Sequence, residues 1–120
     1  MASKLLVKVT AGADEPERCN QAFTVASAGV AVGASVSLWL TGEAAWFAVP
    51  GHAEKFDLPL ATPLADLLGI VLASGSVTVC TQCAQRRGIA ADDVLPGIVV
   101  AGAASFVEEA LADGTQALVY

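Results

Sequence analysis

Charge is scarce in this chain. Of its 120 residues, 15% are Asp, Glu, Lys or Arg, against ~25% in an ordinary soluble domain. Basic residues are scarcer still: six Lys and Arg against twelve Asp and Glu give a formal net charge of −6, with a pI near 4.4. The densest basic cluster is the pair Arg86-Arg87. Binding to nucleic acid needs a stripe of Lys and Arg against the phosphates, so no nucleic-acid partner is expected. Soft metal ligands are also few, with three Cys and one His. One C-x-x-C supplies two ligands where structural zinc needs four, and neither Cys19 nor His52 stands at a spacing that completes the set. No metal and no other cofactor is expected. The chain has no G-x-G-x-x-G or G-x-x-x-x-G-K-[ST] run for a nucleotide and no Ser/His/Asp signature. Its paired carboxylates, Asp92-Asp93 and Glu108-Glu109, read as solvated.

Apolar residues are plentiful: 55% of the chain is hydrophobic and the mean hydropathy is +0.63. The length suits one domain spanning residues 1–120 that buries a core without disulfides. A monomer this small cannot cover so much apolar surface, which predicts a homo-oligomer that buries part of it between subunits. Two stretches, 22–42 and 67–85, carry no charge and are long enough to cross a bilayer. The first is interrupted by Thr24, Ser27, Gly29, Gly33, Ser35 and Ser37, the second by Ser74-Gly75-Ser76. Each reads as a buried helix handing over to a buried strand, and no membrane span is expected. The odd cysteine count and a start that leads from Met1-Ala-Ser directly into strand-like sequence predict a cytoplasmic, reducing compartment.

In order, Lys4–Thr10 is a β-branched apolar run that reads as a central strand. Asp14 is placed to cap a helix opening at Pro16 and running to about Val30, with Cys19, Phe23, Ala26 and Val30 inward. Ala34–Leu40 reads as a second strand. Ala44–His52 is a short helix or lid-like loop whose adjacent Trp46 and Phe47 cannot both be buried on one helix face. Glu54–Ala61 reads as irregular. Pro63–Ala73 is an amphipathic helix with Leu64, Leu67, Leu68 and Val71 inward, followed by a strand at Val77–Cys80 that runs directly into a helical turn. After the Pro96-Gly97 turn, Ile98–Ala101 is a strand, Gly102–Ser105 opens a helix ending near Asp113-Gly114, and Gln116–Tyr120 is the last strand. Such alternation predicts a three-layer flavodoxin-like α/β domain with a mostly parallel five-stranded sheet.

Right-handed crossovers bring every strand's carboxyl end to one edge, where reactive groups of open α/β sheets collect. The candidate crevice therefore comprises Cys80 and Cys83 with Thr10, Gly42, Glu43, Trp46, His52 and Gly102. Cys80 is the sharper candidate, because a thiol between a strand end and a helix N-terminus has its pKa lowered and is the more nucleophilic for it. Cys83 reads equally as a small residue facing the sheet, and Cys19 as core. The ordinary alternative for Glu43 and His52 is a solvent-facing or core-satisfied role. Arg86 and Arg87 read as solvated cations near a helix C-terminus. Three uses of this crevice compete: sulfur chemistry at Cys80, a thioredoxin-like dithiol-disulfide couple, and a non-enzymatic small-ligand or scaffold module.

Val79-Cys80, the small-residue helix after it and Arg86-Arg87-Gly88-Ile89 resemble the DsrE/DsrF-like family of small sulfur-relay proteins. The likeness extends over most of the chain. It implies a flavodoxin-like fold assembled as trimers or hexamers, and a sulfurtransferase-like carrier in which Cys80 accepts sulfur as a persulfide and passes it on. Cys83 matches a second cysteine present in a subset of members and would serve as an optional resolving thiol. The partners implied are a sulfur-donor and a sulfur-acceptor protein.

Overall fold

Lys4–Val9 forms β1, with Leu6, Val7 and Val9 fully buried. The computed structural model describes residues 3–120; Met1 and Ala2, where the expected leaderless start begins, lie outside them. Helix α1 spans Pro16–Ala31. Proline at its first turn lacks only an N–H that would have had no partner, and Glu17 complements the positive helix end. Asp14 is not its cap. Glu15 occupies that position without a side-chain cap bond, and Asp14 instead accepts the Gly12 N–H at 2.9 Å, tightening the loop before the helix. The buried stripe of α1 is Cys19, Ala22, Phe23, Ala26 and Gly29. Val30 is half-buried against the core, and Gly29 is fully inward, where a Cβ would fall 2.9 Å from Leu5 Cδ2 and 3.0 Å from Val36 Cγ2.

Strand β2 (Ser35–Leu40) leads into a 3-10 segment, Gly42–Ala48, and a one-turn helix α2, His52–Lys55, which claims Glu54 and Lys55 from the expected irregular stretch. Helix α3 (Leu64–Ser74) buries Leu64, Leu67, Leu68 and Val71, the four residues the spacing points inward. Then come β3 (Ser76–Cys80), α4 (Thr81–Arg86), β4 (Ile98–Ala101), α5 (Ala103–Leu111) and β5 (Thr115–Val119). No helix among the described residues is long and apolar enough to cross a membrane.

The five strands form one parallel sheet in the order β4-β3-β2-β1-β5, the α/β architecture of flavodoxin-like folds. β1 is an interior strand, but β2 holds the centre. Leu5, Val7 and Val9 align with Val36, Leu38 and Leu40, and Leu38 and Leu40 with Val77 and Val79. Because side chains alternate, these make one apolar face, which α1 and α3 cover together. The opposite face carries Lys4, Lys8, Ser37, Trp39, Thr78, Cys80 and Val99. Among the described residues, α5 is the helix that packs against it. Trp39 packs edge-on to Phe106 at 5.4 Å and donates its indole N–H to Glu109 at 2.8 Å, while Lys4 pairs with the same carboxylate at 3.3 Å. No residue of α5 is buried. Val99, Val107, Leu111 and Val119 stay exposed around it, so the two faces of the sheet are covered very unequally.

Candidate functional site

The parallel register brings the carboxyl ends of the strands to one edge. Val9, Leu40, Val79 and Val100 lie in one row, so Thr10, Thr41, Cys80 and Ala101-Gly102 follow them at the rim. Two threonines bind the rim together: Thr41 Oγ1 donates to the Val9 carbonyl at 2.8 Å and Thr10 Oγ1 to the Tyr120 carbonyl at 2.7 Å. Thr10 is thus placed at the predicted edge, but its hydroxyl is engaged in holding β5. Gly102 caps α5, and its carbonyl accepts the N–H groups of Ser105 and Phe106 at 3.1 and 3.3 Å.

Cys80 ends β3 and occupies the N-cap position of α4. It is half-buried, and strand alternation turns it to the α5 face, away from its core neighbour Val79. Burial raises its thiol, but the N–H and thiol of Cys83, the N–H of Gln82 and the charge of Lys8 outweigh burial and leave it below the ordinary value. None of these groups closes a capping hydrogen bond to the sulfur. The effect is that of a converging field, and it favours the thiolate, which is the reactive form. Cys19 has the opposite environment. Burial, with the Asp14 carboxylate nearby, pushes its thiol up to about 12, so it stays protonated and inert in the core.

Cys83, one turn into α4, packs against the core and accepts the Gly42 N–H at 3.2 Å. That contact belongs to a larger junction between α4 and the loop after β2. Arg87 places Nη2 2.7 Å and Nε 2.8 Å from Glu43 Oε2 and donates from Nη1 to the Cys83 carbonyl at 3.1 Å. Arg87 is therefore not the solvated helix-end cation that its position suggests; its side chain is 19% exposed. Arg86 does remain in solvent. Glu43 is neither free in solvent nor buried in the core, but the anchor of this clamp. Gly42 and Gly12 complete the junction, where the chain approaches itself too closely for a side chain. A Cβ on Gly12 would lie 2.6 Å from the Glu43 carbonyl oxygen, and one on Gly42 would overlap the Thr10 carbonyl oxygen.

Glu43, Trp46 and His52 share a cavity of about 200 Å³ with Ala13, Phe47, Lys55 and Phe56. Trp46 stacks on His52 with ring centroids 5.2 Å apart, and Phe47 is the buried member of the aromatic pair. Neither cysteine lines this cavity, nor do Thr10, Gly42 or Gly102. The residues expected to share one crevice thus divide between the aromatic cavity, which Glu43, Trp46 and His52 line, and the rim outside it, where Cys80 and Cys83 stand, and Glu43 links the two through Arg87. Among the described residues, no three His, Cys, Asp or Glu side chains gather as a metal site would require.

Gly12 and Lys8 carry no site signal in the sequence, and Arg87 reads there as a solvated cation rather than the partner of Glu43. Lys8 shows itself in the alternation of β1, which turns it away from Val7 and Val9, but its neighbour in space depends on the strand order.

A family model for the DsrE/DsrF-like family matches residues 3–120. The chain belongs to the DsrE/DsrF-like family. Among curated proteins none matches the sequence. The DsrE/DsrF-like fold recurs in solved structures of low identity. The ychN protein of E. coli superposes with a TM-score of 0.80 at 18% identity, covering 100% of both chains. MTH1491 from Methanobacterium thermoautotrophicum gives 0.66 at 9% identity over 98% of each chain. BT1422 from Bacteroides thetaiotaomicron gives 0.61 at 17% identity, over 98% of this chain and 95% of its own. At these identities the likeness concerns the fold alone.

Proposed function

We propose that this DsrE/DsrF-like protein is a sulfur carrier, with Cys80 as the group that accepts and passes on sulfur. The observation that carries the reading is the position of Cys80 between β3 and α4, with its thiol held below the ordinary value. The step conserves electrons. The Cys80 thiolate attacks the outer sulfur of a donor persulfide, the donor's S–S bond breaks, and the donor leaves as a thiolate. An acceptor thiolate then attacks the outer sulfur of the Cys80 persulfide and displaces Cys80 as a thiolate. Neither a metal nor a nucleotide enters this exchange. Cys83 offers a second exit, in which its thiolate attacks the inner sulfur, forms a Cys80–Cys83 disulfide and expels hydrosulfide. This exit is what a dithiol-disulfide role would share with carriage.

Intact-mass spectrometry after exposure to a persulfide donor tests the reading. The wild type should gain about 32 Da, one sulfur atom, and Cys83→Ser should gain it too. Cys80→Ser should gain none, and sulfur uptake by that variant ends the proposal.

The donor and acceptor are proposed to be cytoplasmic proteins, and the carrier a homo-trimer or homo-hexamer. Val99, Val107, Leu111 and Val119, exposed on and beside α5, supply apolar surface of the kind that subunit contacts cover. Sedimentation at micromolar concentration should give a mass at least three times 12.1 kDa; a monomer would contradict this assembly.

A further inference from the structure

Cys80 shares its face of the sheet with Lys8, a cation that enters no ion pair among the described residues. β1, β2, β3 and β4 align Lys8, Trp39, Thr78 and Val99 in one row, and Cys80 is two residues beyond Thr78 on the same face. Two strand spacings, roughly 10 Å of backbone separation, divide β1 from β3. The Lys8 ammonium is held 5.1 Å from the centre of the Phe106 ring, a contact worth most where water is partly excluded. Phe106 is itself fixed edge-on by Trp39. The other charges nearby are already matched: Lys4 with Glu109 at 3.3 Å and Arg87 with Glu43 at 2.7 Å. Glu108 and Arg86 point to solvent, and no ion pair involves Lys8 among the described residues.

We propose that Lys8 makes the approach to Cys80 a subsite for small anionic sulfur compounds, so that donors whose transferable sulfur carries negative charge, such as a persulfide anion or thiosulfate, are taken in preference to neutral ones. This deepens the carrier reading and rests on it for its biological meaning. The physical basis is independent of sulfur transfer: an uncompensated ammonium beside a thiolate attracts an incoming anion that the thiolate alone would repel. Both residues are partly buried, and the separation of their strands is comparable with the ~10 Å Debye length at 0.1 M salt, so screening is incomplete. With thiosulfate, the Cys80 thiolate attacks the outer sulfur, the S–S bond breaks, and sulfite leaves with the bonding electron pair.

Charge-matched alkylation followed by peptide mass mapping at Cys80 tests the subsite. Iodoacetate and iodoacetamide undergo the same displacement of iodide and differ in charge. The rate ratio of iodoacetate to iodoacetamide should fall about three- to tenfold in Lys8→Gln, the range of a unit charge acting across partly solvated surface. Lys8→Arg should restore it, and raised salt should reduce the wild-type ratio toward that of Lys8→Gln. The pH midpoint for iodoacetamide should move upward in Lys8→Gln and return in Lys8→Arg, since the lysine charge favours the thiolate. An equal ratio in wild type and Lys8→Gln overturns the subsite. So does equal loss of both rates with an unmoved midpoint, because that marks a purely structural role. If the ratio behaves as expected but thiosulfate and persulfide donors leave no sulfur on Cys80, the subsite stands and the carrier function fails.

Discussion

Phe23→Ala is expected to lower the stability of the protein by about 3–5 kcal/mol, the usual cost of truncating a buried aromatic. Phe23 is fully buried on α1 and meets Phe47 edge-on with centroids 5.9 Å apart. Phe47 meets Phe56 in the same way at 5.7 Å. These three rings join the longest helix to the 3-10 segment and to the chain after α2, so alanine removes one side of a three-ring stack. The helix backbone on one side and the sheet on the other leave the cavity little chance to collapse. Against a typical total of about 5–15 kcal/mol, the loss takes a large share. Urea denaturation should show a lower midpoint with an unchanged slope. A midpoint shift worth less than ~1 kcal/mol would mean that the aromatic stack contributes little. Phe47 and Phe56 also line the 200 Å³ cavity, so the variant should loosen that wall while leaving Cys80 on the far face reactive.

Gly42→Ala acts at the rim itself. Gly42 has a φ of +54°, where a side chain costs roughly 1–2 kcal/mol, and the new methyl would overlap the Thr10 carbonyl oxygen. Forcing extra volume into a packed site adds about 1–3 kcal/mol; the smaller conformational entropy of alanine in the unfolded chain returns at most ~1 kcal/mol. A net loss of about 2–4 kcal/mol follows, a fall in melting temperature on the order of 10 °C for a chain of this size. Differential scanning calorimetry measures it directly, and a melting temperature equal to that of the wild type would show that the junction has slack. The same displacement should weaken the Gly42 N–H contact to Cys83 Sγ, now 3.2 Å, and disturb the Glu43–Arg87 clamp beside it. In Gly42→Ala, a rise in alkylation at Cys83 without a matching rise at Cys19 would separate this local effect from general unfolding.

Both variants bear on the relation between the two cysteines. They lie three residues apart, yet they belong to different surroundings. Cys80 faces the sparsely covered side of the sheet and shares it with Lys8, whereas Cys83 packs on the core and is held by the β2 loop. A C-x-x-C pattern invites a symmetrical reading of its two thiols. Here the change from strand to helix between them makes their environments unequal, which suits a carrier thiol with an auxiliary partner.

Much of this protein could be read from its sequence because the information is local. Short apolar runs rich in β-branched residues mark the strands, three-and-four spacing marks the inward faces of α1 and α3, and the uncharged runs mark buried helix-to-strand transitions. The family resemblance at Val79-Cys80 and Arg86-Arg87-Gly88-Ile89 is local as well. A strand that ends where a helix begins marks Cys80 as the candidate thiol, and the groups of Gln82 and Cys83 around it are neighbours in sequence, whereas the charge of Lys8 is not. The tertiary structure alone decided what depends on pairing between distant segments. Only the strand order places β2 rather than β1 at the centre and brings Lys8 to the face of Cys80. Only the approach of loops 10–12 and 41–43 explains the need for Gly12 and Gly42, and only a contact across 44 residues turns Arg87 from a surface cation into the partner of Glu43. Side-chain spacing along a chain reports which face a residue takes; what stands opposite that face is set by the sheet.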